Sequence, residues 1–214
     1  MRPDYYPAFL NLRGKKCVVV GGGKVAERKV CALVRSGACV RVISPEVTPV
    51  LDRLKSAGKI SHIVREYKKG DLKGTFLAIA ATSSEKVNRA VSREAPFLVN
   101  VVDVPELCNF IVPAVVGRRP LTIAVSTGGA SPAMAATIRR ELELLYGNEI
   151  GRYLLFLGKL RKEALKTIVD KKMRENFLKK AATKEILEIL REEGFLEAKD
   201  RVMDRLMKAR SYYD

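Results

Sequence analysis

Residues 15–37, KKCVVVGGGKVAERKVCALVRSG, decide the fold. KKCVVV is a β-branched run that enters glycines directly, the mark of a parallel strand buried on both faces. Beyond the glycines, Ala26, Val30, Leu33 and Val34 recur at the spacing of one helical face, and Gly37 supplies a left-handed stop. The intervening Gly21, Gly22, Gly23, Lys24, Val25 and Ala26 satisfy G-x-G-x-x-A. In such a turn Gly21 permits the tight reversal, Gly23 lets the backbone approach a pyrophosphate, and Ala26 allows the helix to pack close on the strand. The amides of the helix N-terminus then face the phosphates. Strand, glycine turn and helix together read as a dinucleotide-binding unit, with NAD as the expected cofactor.

The same alternation continues outward. CVRVIS at 39–44 is a second strand, followed by a weaker helix through Val50, Leu51 and Leu54 and a third strand in ISHIVRE. TFLAIAAT (75–82) and FLVNVV (97–102) complete five strands, with a helix starting near Ser84 and the spacing of a capping box between Thr82 and Glu85. Strands alternating with helices predict an α/β, Rossmann-type doubly wound parallel sheet over residues 1–112. After Asp103 the pattern changes. FIVPAVV and LTIAVS, separated by GRRP, predict an antiparallel hairpin, and STGGASP leads into a helix with Ser131 as N-cap and Pro132 as its first residue. This small α+β segment is assigned to 113–147. Residues 148–214 carry helical apolar spacing alone, for example Leu187, Leu190, Phe195 and Leu196, and are assigned to a helical domain.

A chain of 214 residues that is 47% hydrophobic can bury one substantial core and a smaller one. Its apolar runs are far shorter than the roughly 20 residues a membrane span needs, and MRPDYYPAFL has no secretory pattern. The expectation is a cytoplasmic protein that does not bind membranes. The four cysteines form no C-x-x-C pair, and core-type neighbours around three of them indicate small hydrophobes. His62 stands alone on an alternating stretch, so no metal site is expected. The net charge of +16 concentrates anionic partners without naming one. Nucleic acid is disfavoured, since only 7% of residues are aromatic and none stands in a basic run.

Two positions carry candidate chemistry besides the glycine turn. Asp103 ends the fifth strand, where ligands of open parallel sheets sit, and is the candidate general base; the alternative is that it only begins an Asp-Val-Pro turn. Asn100, on the same strand, is read as sharing its side and joins it as a candidate substrate contact. The loop of Ser126, Thr127, Gly128 and Gly129 before another helix N-terminus forms a second candidate anion site, against the reading of an ordinary capped connection. The second strand ends in Ser44, Pro45 and Glu46, without an acid at the position that binds ribose hydroxyls. Arg41 is an ambiguous candidate for a 2′-phosphate, and the pattern leans to NAD.

YPAFLNLRGKKCVVVGGGKVAERK, LAIAATSSEKVN, NVVDVPELCNFIVPAVV and LTIAVSTGGASP, in that order, resemble the precorrin-2 dehydrogenase family, which occurs as free-standing enzymes and as the N-terminal part of siroheme synthase. The resemblance spans roughly the first 145 residues. It implies NAD-dependent oxidation of precorrin-2, an acidic tetrapyrrole, to sirohydrochlorin, with the macrocycle between the nucleotide domain and the rest of the molecule. It implies a homodimer whose interface lies around 113–147. By motif, Asp103 corresponds to the family's general base; Gly21, Gly23, Lys24 and Val25 fall in the NAD-binding turn, Ser44 to Glu46 at the adenosine side, and Ser126 and Thr127 beside the tetrapyrrole. Thr127 stands where serine is frequent and Ala130 where threonine is common. Some members also insert Fe2+ to make siroheme, which leaves ferrochelatase activity open here. No methyltransferase domain follows, so synthesis of precorrin-2 itself is not expected. The rival reading is a non-catalytic NAD-sensing regulatory domain, which accounts for the glycine turn but not for Asp103 and STGGASP.

Overall fold

The computed structural model describes the backbone of residues 5–210 and the side chains of residues 5–204. The chain divides into two compact units, Met1–Val112 and Pro113–Asp214.

In the first unit five parallel strands form one sheet: β1 (Lys16–Val20), β2 (Cys39–Ser44), β3 (Ile60–Val64), β4 (Leu77–Ala80) and β5 (Leu98–Val101). Their order is β3-β2-β1-β4-β5. The chain thus winds outward from β1 to β3, returns to the other side of β1 and winds outward again. The reversal lies between β1 and β4, where the crevice beyond the strand ends opens in such sheets.

Side chains alternate across the sheet. Cys17, Val19, Val40 and Val42 face a core covered by Ala26, Val30 and Leu33 of α1 (Lys24–Arg35) and by Leu51 of α2 (Pro49–Ser56). Val18, Val20, Ala78 and Ala80 face the opposite core, covered by Val91 of α3 (Glu85–Glu94) and by Leu72. Both faces are therefore buried, as the continuous apolar strands predicted, and each fully buried valine contributes roughly 1.5–3 kcal/mol of transfer free energy.

The structure departs from the sequence reading in two places here. No helix joins β3 to β4; residues 65–76 cross as turns, anchored by Leu72, which is 1% exposed, and by the Arg65–Asp71 ion pair. The N-cap of α3 is Ser84, whose Oγ accepts from Val87 N at 3.4 Å; Thr82 does not cap it. The Thr82 hydroxyl instead donates to Asn88 Oδ1 at 3.0 Å and accepts from Ser84 N at 3.1 Å, shaping the turn that leads into the helix.

The second unit opens with an antiparallel hairpin, β6 (Ala114–Arg118) and β7 (Leu121–Val125), as the turn-rich GRRP suggested. It continues through α4 (Pro132–Leu145), α5 (Asn148–Thr167), α6 (Lys171–Lys180), α7 (Lys184–Glu192) and α8 (Phe195–Arg210). Gly151 lets α5 cross the hairpin closely, because a Cβ there would lie 2.7 Å from Arg119 O. The helical core gathers Tyr153, Ala181, Ile186, Ile189, Leu190, Ala198 and Val202. Of the residues named from the spacing, Leu190 lies in this core and Phe195 packs against it, whereas Leu187 of α7 is half-buried and Leu196 of α8 is exposed. Among the described residues no helix is long and apolar enough to cross a membrane, and no group of His, Cys, Asp or Glu could hold a metal ion.

Candidate functional site

The three glycines after β1 have three separate causes. Gly21 has φ +115°, and a Cβ on it would collide with the Ala81 carbonyl at the end of β4. Gly22 lies against the loop after β2: a Cβ would collide with the Glu46 carbonyl and come within 2.7 Å of Ser44 Oγ. Gly23, by contrast, has an ordinary φ of −79° and nothing within 4 Å of the Cβ direction. No neighbouring protein atom crowds that direction. A group from outside that must approach the backbone does account for glycine there.

The helix that follows is prepared for an anion. Gly23 is the N-cap of α1 and has no side chain to offer, whereas α2, α3 and α4 are capped by Thr48, Ser84 and Ser131. The first-turn amides of α1 are thus left without a capping side chain, beside the positive end of the helix dipole. Open amides and open space at Gly23 fit the pyrophosphate of a dinucleotide. Lys24 is exposed and pairs with Glu27 at 3.4 Å, and Val25 is half-buried. Glu27 is held below the usual carboxylate range chiefly by a hydrogen bond from Thr48, which ties α1 to the start of α2.

The loop after β2 is bound to the turn by Thr48 N donating to Gly22 O at 3.1 Å, and Gly21 N donates to Ile43 O at 2.9 Å. Ser44 is 4% exposed, so its side chain is built into this junction. His62 Nε2 donates to Ser44 O at 2.9 Å and lies 3.2 Å from Ser44 Oγ. Pro45 and Glu46 are exposed. Arg41 adds its charge to the Arg65–Asp71 pair. That pair is bidentate, at 2.8 and 2.7 Å, and the Arg65 guanidinium holds the Asp71 carboxyl below its usual range.

Asp103 lies just beyond β5, exposed, with φ +62°. It is the one non-glycine residue with positive φ among the described residues. Aspartate tolerates this conformation better than most residues, yet it is still a strained choice of the kind that clusters at functional sites. Asp103 does sit in the turn before Pro105, and that turn holds its backbone in the left-handed region.

Asn100 lies within β5, whereas Asp103 lies beyond its end. It precedes Asp103 by three positions, and its amide donates to Phe110 O at 3.1 Å within the chain's own loop.

Lys29 of α1, which the motif reading passed over, joins this end of the sheet. Burial and the neighbouring Arg28 lower its pKa from the ordinary lysine range, while attraction to Asp103 and Cys108 opposes the shift. A lysine interrupting the Ala26–Val30 face of a helix is the signal that would have found it. It brings positive charge to the place where Asp103 stands.

In the second unit the STGGASP loop is held by its own hydroxyls. Gly128 N donates to Ser126 Oγ at 3.1 Å, and Ser131 N donates to Thr127 Oγ1 at 3.1 Å. Gly128 and Gly129 have φ of +59° and +80°, and Ser131 Oγ caps α4 through Met134 N at 3.1 Å. The two glycines are what allow the reversal onto the helix N-terminus. Arg118, at the hairpin turn, donates to Glu143 O at 3.3 Å and so ties the hairpin to α4.

Comparison with known proteins follows the same division. An NAD(P)-binding family model matches residues 8–114, and the model of the central part of a sirohaem biosynthesis protein matches residues 118–144. The siroheme synthase of Methylobacillus flagellatus is 47% identical over 163 residues, which is 75% of this chain and 35% of that protein. That of Azotobacter vinelandii is 37% identical over 210 residues, 97% of this chain and 44% of that protein. The chain thus spans less than half the length of these relatives. The solved structure of SirC, a precorrin-2 dehydrogenase, superposes with a TM-score of 0.79 at 25% identity, covering 94% of this chain and 100% of that one. Matched in chain order by both models and similar along nearly its whole length to that precorrin-2 dehydrogenase structure, the chain belongs to the NAD(P)-binding family whose model covers residues 8–114.

Proposed function

We propose that this protein oxidises precorrin-2 to sirohydrochlorin with NAD+ as the hydride acceptor. The observation that carries the reading is the exposed, left-handed Asp103 at the carboxyl end of β5, on a sheet whose β1 turn is open at Gly23. The full-length likeness to SirC supports it.

Bound nicotinamide supplies the chemistry of accepting a hydride from the tetrapyrrole. The protein's own residues do the rest. The α1 amides and Gly23 hold the pyrophosphate, with Lys24 and Val25 in the first helical turn, while Ser44, Pro45 and Glu46 border the adenosine side. Asp103 takes the proton that leaves the macrocycle as the hydride departs, so one proton and one hydride account for the two-electron oxidation. Lys29 and the net charge of +16 favour an acidic substrate around that carboxylate. Ser126, Thr127, Gly128 and Gly129, at the N-terminus of α4, are proposed substrate contacts. Asn100 retains at most a supporting role, since its amide is engaged within its own loop.

NAD is preferred over NADP for a local reason. The loop after β2, whose backbone packs against Gly22, carries an exposed acid, Glu46, and a carboxylate on that loop disfavours an added 2′-phosphate. The same reading includes a cytoplasmic homodimer joined through residues 113–147. Val115, Met134 and Leu144 are exposed there, and a two-stranded hairpin leaves unpaired edges.

The test is incubation of the purified protein with precorrin-2 and NAD+, following NADH absorbance and the sirohydrochlorin spectrum. Absence of turnover with both NAD+ and NADP+ overturns the proposal. Asp103→Asn is expected to lower kcat by about 10²–10⁴-fold while NAD binding persists. Adding Fe2+ to sirohydrochlorin in a separate reaction tests iron insertion, for which the macrocycle's nitrogens would be the ligands.

A further inference from the structure

β5 is an outer strand, so its free edge presents N–H and C=O groups to no sixth strand. Two consecutive side chains take that strand's place. Asn109 Oδ1 accepts from Val99 N at 2.7 Å, its Nδ2 donates to Phe97 O at 2.5 Å, and its backbone N donates to Val99 O at 3.1 Å. Cys108 serves the next residues along. Its Sγ accepts from Val101 N at 3.1 Å and lies within donating distance of Val101 O at 3.2 Å and Val104 O at 3.3 Å; Asn100 Nδ2 approaches it at 3.6 Å.

The backbone groups bound to this one sulfur flank Asp103 on both sides. Val101 precedes it by two residues and Val104 follows it directly, while Asp103 between them has φ +62°. A left-handed aspartate persists where its surroundings over-determine it, and here they are the backbone bond from Val104 N to Val101 O at 3.3 Å and, on the carbonyls of the same two residues, the thiol. A sulfur suits the place: its long bonds reach two carbonyls and an amide from one Cβ, and it both donates and accepts. Burial raises the Cys108 pKa, which keeps the S–H available as a donor.

We propose that Cys108 is a positioning residue that sets the orientation of Asp103, and that Asn109 beside it is the structural half of the same edge clamp. The role rests on Asp103 being the base, as argued above.

The experiment compares wild type, Cys108→Ala, Cys108→Ser, Asn109→Ala and Asp103→Asn in the full chain, reading kcat and KM for precorrin-2, Kd for NAD+ and thermal unfolding. Cys108→Ala is expected to lower kcat about 10- to 100-fold, with Kd and KM held within about twofold. Cys108→Ser, which keeps a donor and an acceptor on the same carbon, recovers part of that loss and carries the test if the alanine variant does not accumulate. Asn109→Ala lowers the unfolding temperature and leaves kcat near wild type, because it clamps Val99 rather than the Asp103 turn. Near-normal kcat in both Cys108 variants while Asp103→Asn is inactive overturns the inference. So does a loss in Cys108→Ala that merely parallels that of Asn109→Ala. Near-normal turnover in Asp103→Asn overturns the base assignment itself, and the role of Cys108 with it.

Discussion

The carbonyl oxygen of Glu46 occupies the space that a Cβ on Gly22 would need. The loop after β2 and the turn after β1 are thereby locked together, and Thr48 N bonded to Gly22 O closes the junction. The neighbouring Gly23 has no such contact, so two adjacent glycines separate folding from binding.

Gly22→Ala is therefore expected to destabilise the protein by roughly 1–3 kcal/mol through backbone overlap. Gly23→Ala is expected to cost no more than about 1 kcal/mol, the difference between glycine and alanine at an N-cap, while weakening NAD+ binding about tenfold or more, since the added methyl projects into the cradle. Urea unfolding and cofactor titration on the same two variants check the split; equal effects of both substitutions on both readouts would contradict it.

Glu46 stands exposed beside that junction and carries the cofactor preference argued above. Glu46→Arg should raise kcat/KM for NADP+ relative to NAD+ by about tenfold or more, as the local charge reverses. Measuring both ratios at low and moderate salt tests the cause, because an electrostatic preference shrinks as salt rises.

Asp71 links pH to stability. Its pKa in the folded protein lies below the unfolded value because Arg65 holds the carboxylate in a bidentate pair. The stabilisation is thus complete above the unfolded pKa of about 3.9 and is lost as pH falls through the lower folded value. Asp71→Asn should be less stable than wild type at neutral pH, and the gap should close below about pH 4. A gap that stays constant down to pH 2 would show that the pair does not contribute through charge.

Tyr153 tests the helical core. Its hydroxyl donates to Ala181 O at 2.7 Å, and the side chain is 3% exposed. Tyr153→Phe keeps the ring against Phe156 and strips a buried carbonyl of its donor, for an expected cost of about 1–3 kcal/mol. Denaturant unfolding of the full chain reads this directly; a change below half that range would place water at the carbonyl.

Most of what the sequence made legible is short-range. Apolar runs and 3.6-residue spacing located the strands and most helices of the first unit, and Ser131 followed by Pro132 announced α4, because these signals act within one or two turns of chain; for residues 148–214 they gave a helical class without the bounds of α5 to α8. The glycine turn was recognised for the same reason. The capping of α3 was misplaced because Thr82 and Ser84 both offer hydroxyls before the helix. Only the position of Asn88, folded back against Thr82, decides that Ser84 is the cap.

What the tertiary structure alone decided depends on which distant segments meet. The doubly wound class was expected from the alternation and the glycine turn, but local pattern does not fix register, and only the fold sets Cys17 beside Leu77 and Val20 beside Ala80. The same holds for Gly22, which reads as a free position in the motif until the Glu46 carbonyl arrives beside it. It holds for Ser44, buried under the contact with His62 of β3, and for Lys29, whose meaning comes from Asp103 across the sheet end. From the sequence no role is read for Cys108. It becomes a clamp because residues 108–109 return along an unpaired strand edge whose backbone groups must be satisfied, and the turn beside that edge contains the left-handed Asp103.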